Sequence, residues 1–152
     1  MSVIDLKTLY EADGGKWLES TIELLKKRQF DSLDLENLIE ELEELGRREK
    51  REVFSLLRNI VAHLLLLQCW SSEREYNTNH WRSEIYNWRD DLNRELTTTL
   101  RNYLEENLDL VYQRALGSMK DKTGNTVKFP EERPGDYTLK NLLDFDWFPT
   151  QN

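Results

Sequence analysis

The sequence predicts an all-α fold, a helical bundle around a long central helix with a short aromatic C-terminal segment docked on it. Long stretches consist of Leu, Glu, Lys, Arg and Asn, most of which are good helix formers. Only three prolines and six glycines occur among 152 residues, too few for the many turns of an all-β domain. Apolar side chains recur at three- and four-residue spacing, the period of an amphipathic helix. This length is typical of one domain, so residues 1–152 are predicted to form a single helical domain.

Two short helical segments are predicted at the N-terminal end. Residues 5–12 are expected to form a helical turn. Asp13 is a candidate N-cap for a second helix that reaches about Arg28. The apolar face of that helix follows the i, i+3, i+4, i+7 pattern and consists of Trp17, Leu18, Thr21, Leu24 and Leu25.

Asp34 is predicted to cap the longest element, which extends to about Trp70. Its first half carries a narrow apolar stripe, and Gly46 and a charged run then interrupt it. Either one helix continues through Gly46 or two helices meet there, and the absence of proline between 34 and 70 favours one helix. From Val53 onward the apolar arc covers more than half of the circumference, which is typical of the central helix of a bundle. The members of the narrow stripe are Leu35, Leu38, Ile39, Leu42 and Leu45.

The C-terminal half is predicted to contain further helices and a docked tail. Residues 71–79 are interpreted as a polar connection, with Thr78 or Asn79 capping the next helix. Threonines 97–99 mark a boundary, and one more helix then runs to about Gly124, a good residue to follow a helix. Thr138 is expected to cap a last short helix. The aromatic residues after it, which are Phe145, Trp147 and Phe148, are expected to pack on the bundle.

The charge and the cysteine content limit the classes of partner. The formal net charge is −8, which repels phosphate backbones and attracts a basic protein; it can also serve solubility alone. The lone Cys69 cannot form an intrachain disulfide. The first residues lack the pattern of a signal peptide, and the apolar run 60–67 is shorter than the ~20 residues of a membrane span. We therefore expect a soluble cytoplasmic protein that binds neither nucleic acid nor membrane.

His63 lies inside an apolar run and is either a core residue or a ligand. A buried imidazole needs hydrogen-bond partners, and we expect them to come from other segments. The chain has only two histidines, and no spacing typical of a zinc or di-iron site occurs. One mixed metal site from His63, His80 and Cys69 with a carboxylate stays open. We favour the core role and predict no metal and no cofactor.

A second candidate site consists of His63, Trp81, Trp88 and Arg89. The two tryptophans share an apolar stripe, so core packing with Arg89 in an ion pair at the rim is the simpler interpretation. A ligand pocket between these four side chains is the alternative. The sequence contains no nucleophile in a known motif, no phosphate loop and no dinucleotide fingerprint. Catalysis is therefore not indicated, although the question of enzyme activity stays open.

A third candidate site is an acidic helix face. Its members are Glu40, Glu41, Glu43 and Glu44. Most of them project away from the leucine stripe, which is typical of a solvated face. Alternatively, the face binds a basic partner protein.

Several motifs together resemble a known bacterial family. They include the segment Phe30–Gly46 with its Leu-Glu-Asn-Leu-Ile-Glu-Glu block, His63-Leu64-Leu65, and Trp147-Phe148-Pro149, within about residues 9 to 149. The chain resembles domain-of-unknown-function family twenty-nine, which is helical and common in cyanobacteria. The resemblance implies an all-helical fold and a bacterial origin, and it implies no catalytic residue.

Three functional hypotheses follow. The first is a non-enzymatic protein-interaction module, of the kind formed by the acidic antitoxin of a two-component pair. The second is a small-ligand or metal-binding protein, or an enzyme, with a pocket near His63, Trp81 and Arg89. The third is a homodimer formed through the first half of the long helix, where the apolar stripe is narrow.

Overall fold

A computed structural model describes residues 5–152, and all regular structure in this range is helical, without strands. The seven α-helices are α1 (Leu6–Ala12), α2 (Gly14–Lys26), α3 (Leu35–Cys69), α4 (Ser71–Glu95), α5 (Thr98–Glu106), α6 (Leu108–Lys122) and α7 (Leu139–Leu143). A 3-10 turn, Phe30–Ser32, lies between α2 and α3. The predicted all-α fold is confirmed.

The predicted N-caps explain where several helices begin. Asp13 accepts a hydrogen bond from the Lys16 amide at the start of α2. Thr97 and Thr138 accept from the amides three residues later, at the starts of α5 and α7. Each cap satisfies one of the amides that the first helical turn leaves without a partner. Gly124, with a positive φ of 61°, follows the last turn of α6 as predicted.

The long helix α3 is continuous through Gly46, as predicted. Its second half contains nine buried residues, from Val53 to Leu67, and these share one core with buried residues of α4, α5, α6 and α7. By length and composition α3 also meets the criterion for a membrane span. That is weak support for a membrane role, because a buried core helix meets the same criterion and half of the relevant window is buried.

The described residues form two compact units, one that ends at Arg48 and one that extends from Glu49 to Asn152, and the boundary falls within α3. We call them the N-terminal unit and the C-terminal unit. In the N-terminal unit Trp17 is buried and its indole nitrogen donates to Asp34 Oδ2 at 3.2 Å. The Tyr10 ring meets the Trp17 ring edge-on at a centroid distance of 5.0 Å. These contacts hold α1 and α2 against the start of α3.

The C-terminal unit contains the larger core, and Trp147 and Phe148 of the aromatic tail pack on it as predicted. Tyr137 is fully buried and meets the Trp147 ring edge-on at 5.5 Å. The Arg82 guanidinium lies 3.8 Å from the centre of the Phe148 ring, a favourable cation–π geometry. Phe145, also predicted to pack on the bundle, stays exposed and contacts the Tyr86 ring.

Two predicted boundaries are wrong. The polar segment 71–79 is helical, because α4 begins at Ser71 rather than near Asn79. The predicted helix from Leu100 to Gly124 is two helices that meet at Asn107. The Asn107 side chain donates to the Tyr103 carbonyl at 2.8 Å, and this local bond competes with the helical pattern.

Candidate partner-binding surface and the histidine site

The imidazole of His63 lies at the rim of the core, half-buried. Its Nδ1 is 3.1 Å from the Asn59 carbonyl oxygen, one turn earlier in the same helix. The expectation that its partner belongs to another segment is therefore wrong. The ring meets the Trp88 ring edge-on at a centroid distance of 4.6 Å. Burial lowers the pKa of His63, which favours the neutral imidazole at pH 7.

The side chain of Arg89 is fully buried, with 0% exposure, and does not form the predicted ion pair at the rim. Its Nε donates to the Leu142 carbonyl at 2.8 Å and its Nη2 donates to the Trp147 carbonyl at 2.9 Å. Burial lowers the pKa of Arg89 to about 10, which keeps the group charged at pH 7. Arg89 thus fastens the C-terminal segment to α4 through main-chain carbonyls.

The position of Arg89 on the helix could have revealed this burial. Trp81, Ile85, Arg89 and Leu92 follow each other at spacings of four, four and three residues, which is one helical face. All four are buried. The sequence interpretation placed Trp88 on this stripe instead, and Trp88 is only partly buried.

The four candidate pocket residues make separate contacts. His63 contacts Trp88, Trp81 stacks on Trp70 at 6.0 Å, and Arg89 binds the tail. Three cavities are described in residues 5–152, and none is lined by any of the four. The largest, about 700 Å³, lies in the N-terminal unit beside α1, α2 and the 3-10 turn.

Two residues of the candidate metal site, His63 and Cys69, make other contacts. Cys69 Sγ lies 3.6 Å from the Asn152 side-chain nitrogen, and burial raises the pKa of its thiol. Within residues 5–152 no group of three or more His, Cys, Asp or Glu side chains is arranged to hold a metal ion.

The acidic face divides into inward and outward members. Glu41 turns inward and accepts a hydrogen bond from the Tyr10 hydroxyl at 2.6 Å. Arg47 binds the other three, at 2.9 Å from Glu40, 3.8 Å from Glu43 and 2.9 Å from Glu44. Glu40 and Glu43 keep 58% of their side-chain surface exposed. Glu40 and Glu43 thus share the single charge of Arg47, so this exposed pair keeps a net negative charge.

The most unusual feature of the N-terminal unit is the apolar stripe of α3, which is exposed. Leu35, Ile39, Leu42 and Leu45 are 57%, 52%, 60% and 50% exposed, and we call these four residues the open stripe. At 100° per residue they occupy an arc of about 120°. Spacings of four, three and three residues place them along one face of the helix.

The open stripe lies beside the side of α3 that contacts α1 and α2. The polar contacts on that side are those of Asp34 with Trp17 and of Glu41 with Tyr10, and Leu38 on the same side is half-buried. The helix therefore turns two carboxylates toward its neighbours and the four apolar residues of the open stripe toward solvent. An ordinary surface helix turns its apolar face inward. The periodicity alone could not distinguish an apolar stripe that is covered from one that is open.

Comparison with known proteins gives one match. The model of a family described as Domain of unknown function DUF29 matches residues 9–148. No curated protein and no solved structure matches the chain.

Proposed function

The chain belongs to the DUF29 family, and we propose that it is a non-enzymatic protein-interaction module that binds a basic partner protein through its N-terminal unit. A role as the acidic member of a two-component pair, of the antitoxin kind, agrees with this proposal. The family description names no activity, so the proposal rests on the surface of this chain.

The observation that carries the proposal is the concentration of exposed apolar side chains. Twelve large apolar side chains are exposed among residues 5–152, and eight of them belong to the N-terminal unit, which is about a third of the chain. Contiguous apolar surface on a soluble protein typically marks an interaction site. Those eight residues are Leu18, Ile22, Leu25, Phe30 and the four of the open stripe.

The charge of the same unit supports a basic partner. Residues 35–45 contain five glutamates and no lysine or arginine. Complementary charge steers the approach of a partner and fixes its orientation more than it raises affinity. An apolar stripe beside an acidic edge therefore supplies both the contact area and the selectivity that a protein interface needs.

Affinity purification from native cells tests the proposal. The tagged full chain is compared with an Ile39→Gln/Leu42→Gln variant, which removes the centre of the open stripe and keeps a good helix former at both positions. Leu110→Gln is the matched control, since Leu110 is an exposed leucine of the C-terminal unit. We expect a stoichiometric basic protein with the wild type and the control, and its loss with the double variant. Equal recovery with all three forms would contradict the proposal.

A further inference from the structure

We infer that the open stripe is the seat of one amphipathic helix of a partner protein, with lysine or arginine along one edge of that helix. This inference rests on the proposed function and specifies the chemistry of the partner. The open stripe is linear, with apolar anchors over ten residues or about 15 Å of helix. Partner helices are typically recognised through anchors at i, i+3, i+4 and i+7.

The acidic edge of the stripe selects the basic residues. Glu36, Glu40 and Glu43 lie within about 60° of each other on the helical projection, next to Ile39. Glu36 is 82% exposed despite its contact with Lys7. These carboxylates can therefore accept cations from a second helix while their contacts within the chain persist. The same edge repels lipid and nucleic-acid phosphates.

A second copy of the chain fits the stripe poorly. An antiparallel pair that sets Leu35 opposite Leu45 of the second copy also sets Glu36 opposite Glu44 and Glu40 opposite itself. A parallel pair sets every glutamate opposite its own equivalent. Like charges across a helix interface destabilise the pair, so they disfavour a homodimer through this stripe.

Sliding the antiparallel pair by six residues places Glu36 opposite Lys50 of the second copy, but Leu35 then lies opposite Arg51. None of these three arrangements satisfies both the leucines and the glutamates of this helix. A partner with leucines on its face and cations on its edge satisfies both.

Site-specific photocrosslinking tests the identity of the occupant. The crosslinking amino acid p-benzoylphenylalanine replaces Ile39 in the full chain, which is expressed in its native cells. The control carries the crosslinker in place of the exposed Leu110. We expect an adduct only from position 39. Mass spectrometry should map its other half to a helical segment of another protein with Lys or Arg every three or four residues.

Charge-neutral variants test the role of the acidic edge. Glu36→Gln/Glu43→Gln should weaken binding of a synthetic peptide of the mapped segment about fivefold, the size expected for two exposed ion pairs. The matched control is Glu105→Gln/Glu106→Gln, at two exposed glutamates of the C-terminal unit. It should leave the affinity measured by fluorescence anisotropy unchanged.

The outcomes separate the two proposals. An adduct with a second copy, or with an acidic or non-helical segment of another protein, would overturn the inference about the occupant and leave an interaction module standing. The absence of any adduct at position 39 would overturn both. Equal peptide affinity of the two charge variants would overturn the assigned role of the acidic edge.

Discussion

The Tyr10 hydroxyl donates to Glu41 Oε1 at 2.6 Å, and this bond joins α1 to the side of α3 next to the open stripe. The contact turns Glu41 inward, whereas Glu36, Glu40 and Glu43 of the acidic edge stay exposed. It also fixes which arc of α3 is covered by the rest of the N-terminal unit.

The bond between Tyr10 and Glu41 predicts a pH dependence at alkaline pH. The hydrogen bond to Glu41 raises the pKa of Tyr10 to about 12 from 10.0. The folded chain holds the Tyr10 proton more tightly than the unfolded chain. The stability contributed by the protonated hydroxyl is therefore complete below pH 10 and is lost as the pH rises toward 12. Absorbance titration of the phenolates, wild type against Glu41→Gln, should show one tyrosine titrating at lower pH in the variant. Identical titration curves would contradict the assignment.

The hydrogen bonds from Arg89 to main-chain carbonyls of the tail predict a large loss of stability when the Arg89 side chain is removed. Arg89→Ala leaves buried carbonyls of the tail without donors and should lower the free energy of unfolding by about 3 kcal/mol or more. Arg89→Lys should rescue it only in part, because an ammonium group cannot reproduce the geometry of the guanidinium.

Urea denaturation measures this loss, and Arg94→Ala is its control. Arg94 lies one turn beyond Arg89 in the same helix and pairs on the surface with Asp90 and Asp91. Removing an exposed pair should cost about 0.5 kcal/mol. Similar losses for Arg89→Ala and Arg94→Ala would refute the fastening role.

The rim position of His63 predicts a loss of stability in acid. Since its pKa is lowered in the folded chain, the neutral imidazole contributes stability that is complete above pH 6.5 and is lost as the pH falls below it. His63→Ala should destabilise by about 1 kcal/mol through loss of the aromatic contact with Trp88. Unfolding at pH 5 and pH 7.5 should show a smaller pH effect in His63→Ala than in the wild type. The exposed His80, changed to Ala, is the control.

The buried carboxylate of Asp34 predicts that the N-terminal unit loses stability in acid and when Asp34 is replaced by alanine. Although burial acts to raise its pKa, hydrogen bonds from Asn37 and Trp17 lower it overall. Its stabilising contribution is therefore present above pH 3.8 and lost as the pH falls below that value. Asp34→Ala removes both the helix cap and the Trp17 partner, and should cost about 2 kcal/mol.

Urea unfolding followed by tryptophan fluorescence measures this loss of stability. Asp31→Ala, at an exposed carboxylate of the 3-10 turn, should leave the transition in place. An equal shift of the transition in Asp31→Ala and Asp34→Ala would contradict the claim that the helix cap and the Trp17 hydrogen bond of Asp34 stabilise the fold.

The sequence predicted helix starts well where a short polar side chain caps them. Asp13, Asp34, Thr97 and Thr138 each accept a hydrogen bond from the first turn. Such bonds are local, so residue type and position suffice to predict them. The start of α4 was missed because no capping side chain marks it.

Features that depend on distant contacts were harder to predict. The break at Asn107 was missed because the apolar spacing of Leu104, Leu108 and Val111 continues across it. The helical spacing of α4 could indicate that Arg89 is buried, but its hydrogen-bond acceptors are carbonyls more than 50 residues later in the chain. The exposure of Leu42 depends on which arc of α3 faces α1 and α2, and periodicity does not determine that choice.

Hydrogen exchange tests the central claim most directly. Backbone amide exchange is followed by mass spectrometry in the chain alone and in the complex purified with its partner. We predict that slower exchange in the complex centres on residues 35–45, around the open stripe. Unchanged exchange over residues 35–45, with slower exchange confined to residues 49–152, would contradict the claim that the open stripe is the partner-binding surface.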